Sequence, residues 1–430
     1  MIAAGVVTRP LVVAVAITLA VQAVTSMAMV APSVLAPAVA PVLGVAPQKI
    51  GLFVSAAYFA AMLSGLACGG LIAGLGVLRV CQLSVLLAAA GLVLGAAGWL
   101  VAMPLAALVI GTGYGLVNPA SSHILARATP PGMMALVFSI KQTGVPIGGI
   151  VAGALVPALL LGVGWQAALW VLAVATAVIA LLIEPERRAH ERAVAGDAPQ
   201  PGSHSVSGAA RPAAGFGLRS AIAGLGTPIR MVLSERPMRE LAAVSFSYAT
   251  VQLGLFTYLV SFLNLELGYT LVAAGLVFAV AQGAGVVGRI AWGALADRAF
   301  GARVMLGLLG VTMSACGLVT AFESASWPLA GVVVVSALFG ASAVGWNGVY
   351  LAEVARRAPV GAVGAATGGT QFFTFLGALT GPPLFGLVAS ITGRYSWGYA
   401  AFSILPLAMG VWLLAARPDA RELPQAEGDA

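Results

Sequence analysis

Between Arg9 and Lys49 the chain carries no charged side chain. That run exceeds the ~20 apolar residues needed to cross a bilayer as a helix. It also exceeds the apolar core of a secretion signal, which ends in a small-residue cleavage site. An uncleaved first span is therefore expected, and the rest of the chain has the same character. It is 60% hydrophobic and 8% charged, with a mean hydropathy of +1.01. In a soluble domain about a quarter of the residues are charged. The formal charge of +7 says less than the placement of the arginines.

Windows of ~20 apolar residues bounded by charges or by Pro and Gly predict twelve spans. They fall at 10–35, 48–74, 79–100, 103–127, 133–161 and 165–184, then at 238–264, 270–297, 302–322, 327–355, 360–390 and 396–416. Small residues four apart, as at Gly65/Gly69, Gly91/Gly95, Gly111/Gly115 and Gly377/Gly381, let helix backbones approach closely in lipid. Arg9, Arg79, Arg127, Arg298, Arg303, Arg356, Arg357 and Arg417 fall on one side with the long central connection. Lys49 and Arg394 are the cations of the other side. This asymmetry places both termini in the cytoplasm.

The expected division is a first half over 1–184, a connection over 185–236, a second half over 237–416 and a tail over 417–430. The connection opens with PERRAHER and continues through GDAPQPGSHSVSGAARPAAG, a composition that reads as a disordered tether. Its later stretch, LGTPIRMVLSERPMRE, reads as a short helix on the membrane surface. Nothing in it could bury the core of a regulatory domain. Cys68, Cys81 and Cys316 lie far apart in apolar segments, so neither a disulfide framework nor a metal site follows from them.

The two halves repeat each other. GTGYGLVNPASSHILARATPP at 111–131 aligns with GASAVGWNGVYLAEVARRAPV at 340–360, matching Asn118 to Asn347, Arg127 to Arg356 and Pro130 to Pro359. At the same offset Gln142 falls on Gln371 and Gly148 on Gly377. At a slightly different one Gly51, Gly69 and Leu71 fall on Gly275, Gly293 and Leu295. The expected fold is an all-α integral membrane protein of twelve transmembrane helices in two six-helix pseudo-symmetric halves, with a site at midplane between them.

One stretch, GVVGRIAWGALADRAFGAR at 285–303, sets a cation inside an apolar helix. Arg289 precedes Asp297 by eight residues and so lies roughly 12 Å deeper in the bilayer. A charge at that depth must face protein or a water-filled cavity. The ending WGALADRAFGAR resembles the loop signature of the major facilitator superfamily, G-x-L-A-D-R-x-G-x-R, with one residue inserted between Arg298 and Gly301. The corresponding loop of the first half keeps Arg79 but has Ala73 and Gly74 where the second half has Asp297 and Arg298. Arg289 followed by Gly293 also looks like the eighth-helix arginine of the monocarboxylate and oxalate/formate transporters. In those families that arginine contacts the substrate carboxylate. Proton-coupled monocarboxylate transporters carry an aspartate one turn earlier, where this chain has Gly285.

Lys141, in FSIKQTGVPIGG, is about ten residues past the Pro130–Pro131 turn, hence roughly 15 Å into the bilayer and near its midplane. Every Asp and Glu falls near a predicted span end, in the tether or in the tail. Two cations without a carboxylate in the membrane core argue for an anionic substrate, with Arg289 as a two-pronged ligand and Lys141 as a point charge. The competing readings are structural: Lys141 bonding carbonyls at a broken helix or titrating to neutral, and Arg289 capping carbonyls. Tyr58, Tyr114, Asn118, Gln142, Gln282, Trp346, Asn347 and Gln371 are further candidate substrate contacts, though interhelical amides are also ordinary packing elements. Gln22, Ser26, Tyr248, Gln252 and Tyr350 belong to the same polar set.

Glu353 with Arg356 and Arg357 resembles the acidic-then-basic ending of facilitator helix 10. Asp297, Arg298, Arg303, Glu353 and Arg356 are expected to form a gating latch at the cytoplasmic end. His123, one turn before Arg127, is a candidate proton carrier.

The expected function is secondary active transport of a small organic anion, a mono- or dicarboxylate, across a bacterial inner membrane by alternating access. Protons or a counter-transported anion are the candidate coupled species. The alternative is a proton-coupled drug or metabolite efflux antiporter of the same superfamily, since GVPIGG resembles the Gly/Pro motif of facilitator antiporters. No phosphate loop or ligand cluster implies ATP, a metal or a prosthetic group, and nothing points to an enzyme or to nucleic acid. A monomer in the lipid bilayer is expected.

Overall fold

The computed structural model describes residues 8–130, 133–196, 229–359 and 362–415. The first half comprises α1 (Arg9–Val42), α2 (Ile50–Leu75), α3 (Val77–Ala96), α4 (Ala102–Ala128), α5 (Met134–Gln142), α6 (Gly144–Val163) and α7 (Trp165–Gly196). The second comprises α8 (Arg236–Ser261), α9 (Leu271–Leu295), α10 (Gly301–Phe322), α11 (Leu329–Arg357), α12 (Val363–Thr392) and α13 (Tyr395–Ala415). With α5 and α6 forming one pass, these described helices make twelve crossings. Residues 271–322 are one apolar stretch of 52 residues. Straight, it would reach about 78 Å, far more than the ~30 Å of a hydrocarbon core. The chain instead turns back through a wide turn at Ala296–Phe300 and through Gly301 at φ 74°.

The near end is the end of the bundle where α1 begins, and the far end is the one that holds Lys49 and Arg394. Expected and observed spans agree to within a few residues except at the end of α1, which runs to Val42 rather than 35, at the break between α5 and α6 in the fifth span, and around the central connection. There α7 continues as helix to Gly196, so the first part of the expected tether is not coil. Glu184 causes this: it pairs with Arg187 at 2.6 Å and Arg188 at 2.7 Å, three and four residues on. It also accepts a bond from Gln82 of α3 at 3.0 Å. Such spacing closes pairs on one helix face. Residues 229–234 are helical before a bend at Glu235, and Val232 is fully buried. That turn is thus anchored in the protein core. The rest of the connection and the tail with Arg417 lie outside the described residues.

The sequence repeat is also a repeat of contacts. A Cβ on Gly111 would run into the backbone of Ala57, and one on its repeat partner Gly340 into the backbone of Ala281. Gly148 meets α1 at Ala23 and Met27, while Gly377 meets α8 at Phe246 and Thr250. The same small residues therefore set the same helix crossings in each half, as close packing in lipid requires. α8 is the most enclosed span: every residue from Ser247 to Ser261 is buried.

The halves meet along α1 with α8, α2 with α12, and α6 with α9. Toward the far end, Ser55 Oγ donates to the Leu379 carbonyl at 2.7 Å. The Tyr258 hydroxyl sits between the carbonyls of Gln48 (2.9 Å) and Pro382 (2.7 Å). Gly51 and Gly386 pack against that hydroxyl, where a side chain would push the halves apart. Also at the far end, Glu266 caps α13 from another span. It accepts from the backbone N–H groups of Tyr395 (2.6 Å) and Ser396 (3.2 Å), and pairs with Arg394 at 3.0 Å.

Candidate substrate site

The break in the fifth pass creates the site. A helical carbonyl normally accepts from the N–H four residues on. For Gln142 that residue is Pro146, which has no N–H. α5 ends at Gln142, and its carbonyl is left open toward the second half. Arg289 of α9 fills it, with Nη1 donating to the Gln142 oxygen at 3.0 Å and Nε to the Val344 oxygen of α11 at 3.1 Å. Two glycines bring α9 and α11 close enough for this: a Cβ at Gly285 would meet Val344 and one at Gly288 the Ala341 carbonyl. Trp292 Nε1 bonds that same carbonyl at 2.7 Å. Among the described residues Nη2 of Arg289 donates to nothing and no carboxylate bonds the guanidinium. One prong of the guanidinium therefore remains open.

Lys141 is buried, with 2% of its surface exposed. Its Nζ donates to Asn118 Oδ1 of α4, and Cys81 of α3 and Arg289 both lie within electrostatic reach. The lysine therefore turns into the first half, with Arg289 beyond it. Around the pair, Gln22 Nε2 bonds Ser26 at 3.4 Å while its Oε1 is buried without a partner. Tyr58 and Tyr114 meet edge to face at 6.0 Å, and Tyr58 faces Phe375 across the seam at 6.5 Å. Gln282 lies buried against Gly149 of α6, with both amide atoms unbonded. A free amide in a seam between halves has hydrogen-bonding capacity left for a ligand or a water.

The other candidates are more dispersed. Trp346 is fully buried, donates to Gln252 Oε1 at 3.1 Å and packs against Tyr248 and Tyr350. In this conformation it belongs to the core of the second half. Asn347 reaches the same Gln252 oxygen at 3.5 Å. Gln142 and Gln371 are half-buried. His123 is half-buried, with Nδ1 lacking a partner.

The residues expected to form a gating latch divide into two groups. Asp297 and Arg298 are exposed at the near end. Arg303 is engaged within the second half, bonding Glu240 at 3.1 Å and the Leu413 carbonyl at 3.2 Å beneath the Trp412 ring. Glu353 pairs with Arg356 (3.5 Å) and Arg357 (2.5 Å) on its own helix.

Sequence reasoning missed Glu323. It stands at the end of α10 and reads as a solvated helix end, yet it is 3% exposed with neither carboxylate oxygen hydrogen-bonded. Burial pushes its carboxyl up to about 8. Only the packing reveals this, because the preceding Phe322 takes the exposed side of the helix at 78%.

Twelve passes in two repeated halves, with cations where the halves meet, define a multi-pass membrane transporter. The chain belongs to the major facilitator superfamily, whose profile matches residues 18–378 and 292–430. That family is one of transporters rather than enzymes. The fold is similar to that of a bacterial homologue of the human lysosomal transporter Spinster, solved in an inward-facing and unoccupied conformation. The TM-score is 0.65 and the identity 15%, over 95% of each chain. Comparison with curated proteins gives no match.

Proposed function

We propose that the protein is a secondary transporter of small organic anions, mono- or dicarboxylates. It would work by alternating access in a bacterial inner membrane, with both termini in the cytoplasm. The observation that carries this reading is the Arg289 guanidinium, which is held at the seam by two backbone carbonyls and retains a free Nη2. A carboxylate could take both Nη atoms in place of the Gln142 carbonyl, exchanging a neutral hydrogen bond for a charge-assisted pair. Lys141 would add a second positive charge from the first half. The far-end contacts of Ser55 and Tyr258 correspond to an inward-facing state, and the exposed Asp297 and Arg298 to an open cytoplasmic latch.

Gly285 bears on coupling. Its contact with Val344 leaves no room for the aspartate that proton-coupled monocarboxylate transporters carry there. Efflux coupled to protons is the second reading, and the buried Glu323 is the observation in its favour.

Binding of a panel of carboxylic acids and their methyl esters, followed by counterflow in proteoliposomes, tests the proposal. The acids should bind at least tenfold tighter than the esters. Arg289→Lys should weaken binding yet keep some transport, because the charge survives without the fork. Arg289→Gln should abolish transport, and Lys141→Gln should weaken anion binding. Equal binding of acid and ester, or equal transport by wild type and Arg289→Gln, would reject the anion site.

A further inference from the structure

A second cavity lies well away from Arg289, inside the first half at its far end. It measures about 350 Å³ and is walled by α1, α2, α3, α4 and α7, within the ~300–1,000 Å³ range of ligand pockets. Along α1 it runs from Pro32 to Ala40, about 12 Å of helix. It is thus a slot parallel to the helices. Its walls are aliphatic or aromatic apart from one charged residue, Lys49.

Lys49 gives the slot a polarity. It is exposed at the far-end rim, and its side chain has no ion pair among the described residues. The other cation of the far end, Arg394, is already committed to Glu266 at 3.0 Å. Leu52 and Leu100, both lining residues, are 60% and 50% exposed, so the slot opens sideways toward the lipid chains. An ammonium at headgroup level above an apolar slot matches an amphiphile with one chain and one anionic head. We infer that this slot binds a single-chain amphiphile with an anionic head, such as a long-chain carboxylate, entering from the far leaflet with its head at Lys49.

The site is also continuous with the seam between the halves. Lys49 follows Gln48, whose carbonyl accepts from Tyr258 of the second half at 2.9 Å. Ile50 and Leu52 of the slot flank Gly51, which packs on that same hydroxyl. An occupant that orders the start of α2 therefore favours the far-end-closed state, since a ligand shifts a population by its differential affinity. The inference does not depend on which substrate the Arg289 site takes.

Trp165 lines the slot and provides the readout. Purified protein in nanodiscs of unbrominated neutral lipid is titrated with a long-chain carboxylate brominated along its chain, or with its methyl ester. The Trp165→Phe variant identifies the fluorescence contributed by that residue. The acid should quench the Trp165 component saturably. Lys49→Gln should weaken the acid at least fivefold while leaving the ester unchanged, and Ala56→Phe, which fills the slot, should abolish quenching. Should Ala56→Phe fail to fold, the acid–ester and Lys49→Gln comparisons decide the matter alone. Linear, unsaturable quenching that is equal for acid and ester would show only bulk lipid in the slot and would overturn the inference. Saturable quenching indifferent to Lys49→Gln would overturn it as well. So would displacement of the acid by an anionic two-chain phospholipid at lower concentration than by the acid itself.

Discussion

The carbonyl of Gln142 accepts Nη1 of Arg289 at 3.0 Å because Pro146, which should serve it within the helix, has no N–H. A helix defect in one half is thus satisfied by a cation of the other, and the hydrogen bond exists only while the halves are close. Pro146→Ala would give Gln142 its own donor and remove Arg289's advantage there. A net hydrogen bond is worth about 1 kcal/mol, so the population of the far-end-closed state should fall roughly fivefold. Interhalf distances from spectroscopic labels at the near and far ends measure this. An unchanged distance distribution would mean that Arg289 does not help to hold the halves.

The paired glycine contacts predict paired penalties. Gly111→Ala and Gly340→Ala each drive a methyl into a backbone carbonyl of the facing helix. Each should cost about 1–3 kcal/mol, as overpacking does. Gly69 and Gly293 face open space, and their alanine variants should leave thermal unfolding in detergent unchanged or slightly raised, given alanine's better helix propensity. Equal behaviour of all four variants would contradict the contact repeat.

Glu323 predicts a pH dependence of stability. Its carboxyl is raised from an ordinary 4.5 to about 8 by burial, so the folded state binds a proton that the unfolded state has released. The groups facing it electrostatically include Tyr399 of α13, which Glu266 also reaches. The stability linked to this proton is fully present below about pH 4.5 and is lost as pH rises through about 8. The melting temperature of the wild type should therefore fall over that window, and Glu323→Gln should flatten the profile. Parallel profiles would assign the slope to other groups.

Asp297 is exposed in this conformation, so Asp297→Asn should not weaken the state described here. If Asp297 holds the near end shut in the opposite state, the variant should accumulate in the present one. Cysteine accessibility would rise at near-end positions and fall at far-end ones. Unaltered labelling with normal transport would reduce the loop to a plain turn.

The span count and the repeat were legible because both rest on local signals: apolar length between charges, and glycines at matched offsets. The position of Arg289 was legible for the same reason, since a cation inside an apolar run stands out whatever its partners. Its partners were not, because the open carbonyl of Gln142 depends on Pro146 in a helix of the other half. Trp346 has the residue type of a cavity wall, and only three-dimensional packing put it in a core with Tyr248 and Tyr350. Glu323 was hidden by its place at a span end, where sequence reads solvent. The helical course of α7 beyond Glu184 was masked by Pro185 and by a charge density that suits a coil as readily as a helix held by Glu184 with Arg187 and Arg188.

The cap on α13 has a consequence for the order in which the chain is assembled. The first N–H groups of that helix, at Tyr395 and Ser396, find their acceptor in Glu266, which the chain has made 129 residues earlier. When α13 emerges from the ribosome, the acceptor for its first turn already stands on the seventh span, so that turn stays hydrated until it docks there. Insertion of α13 and closure of its cap are then a single event, and loss of Glu266 should be felt in the yield of inserted protein before it is felt in transport.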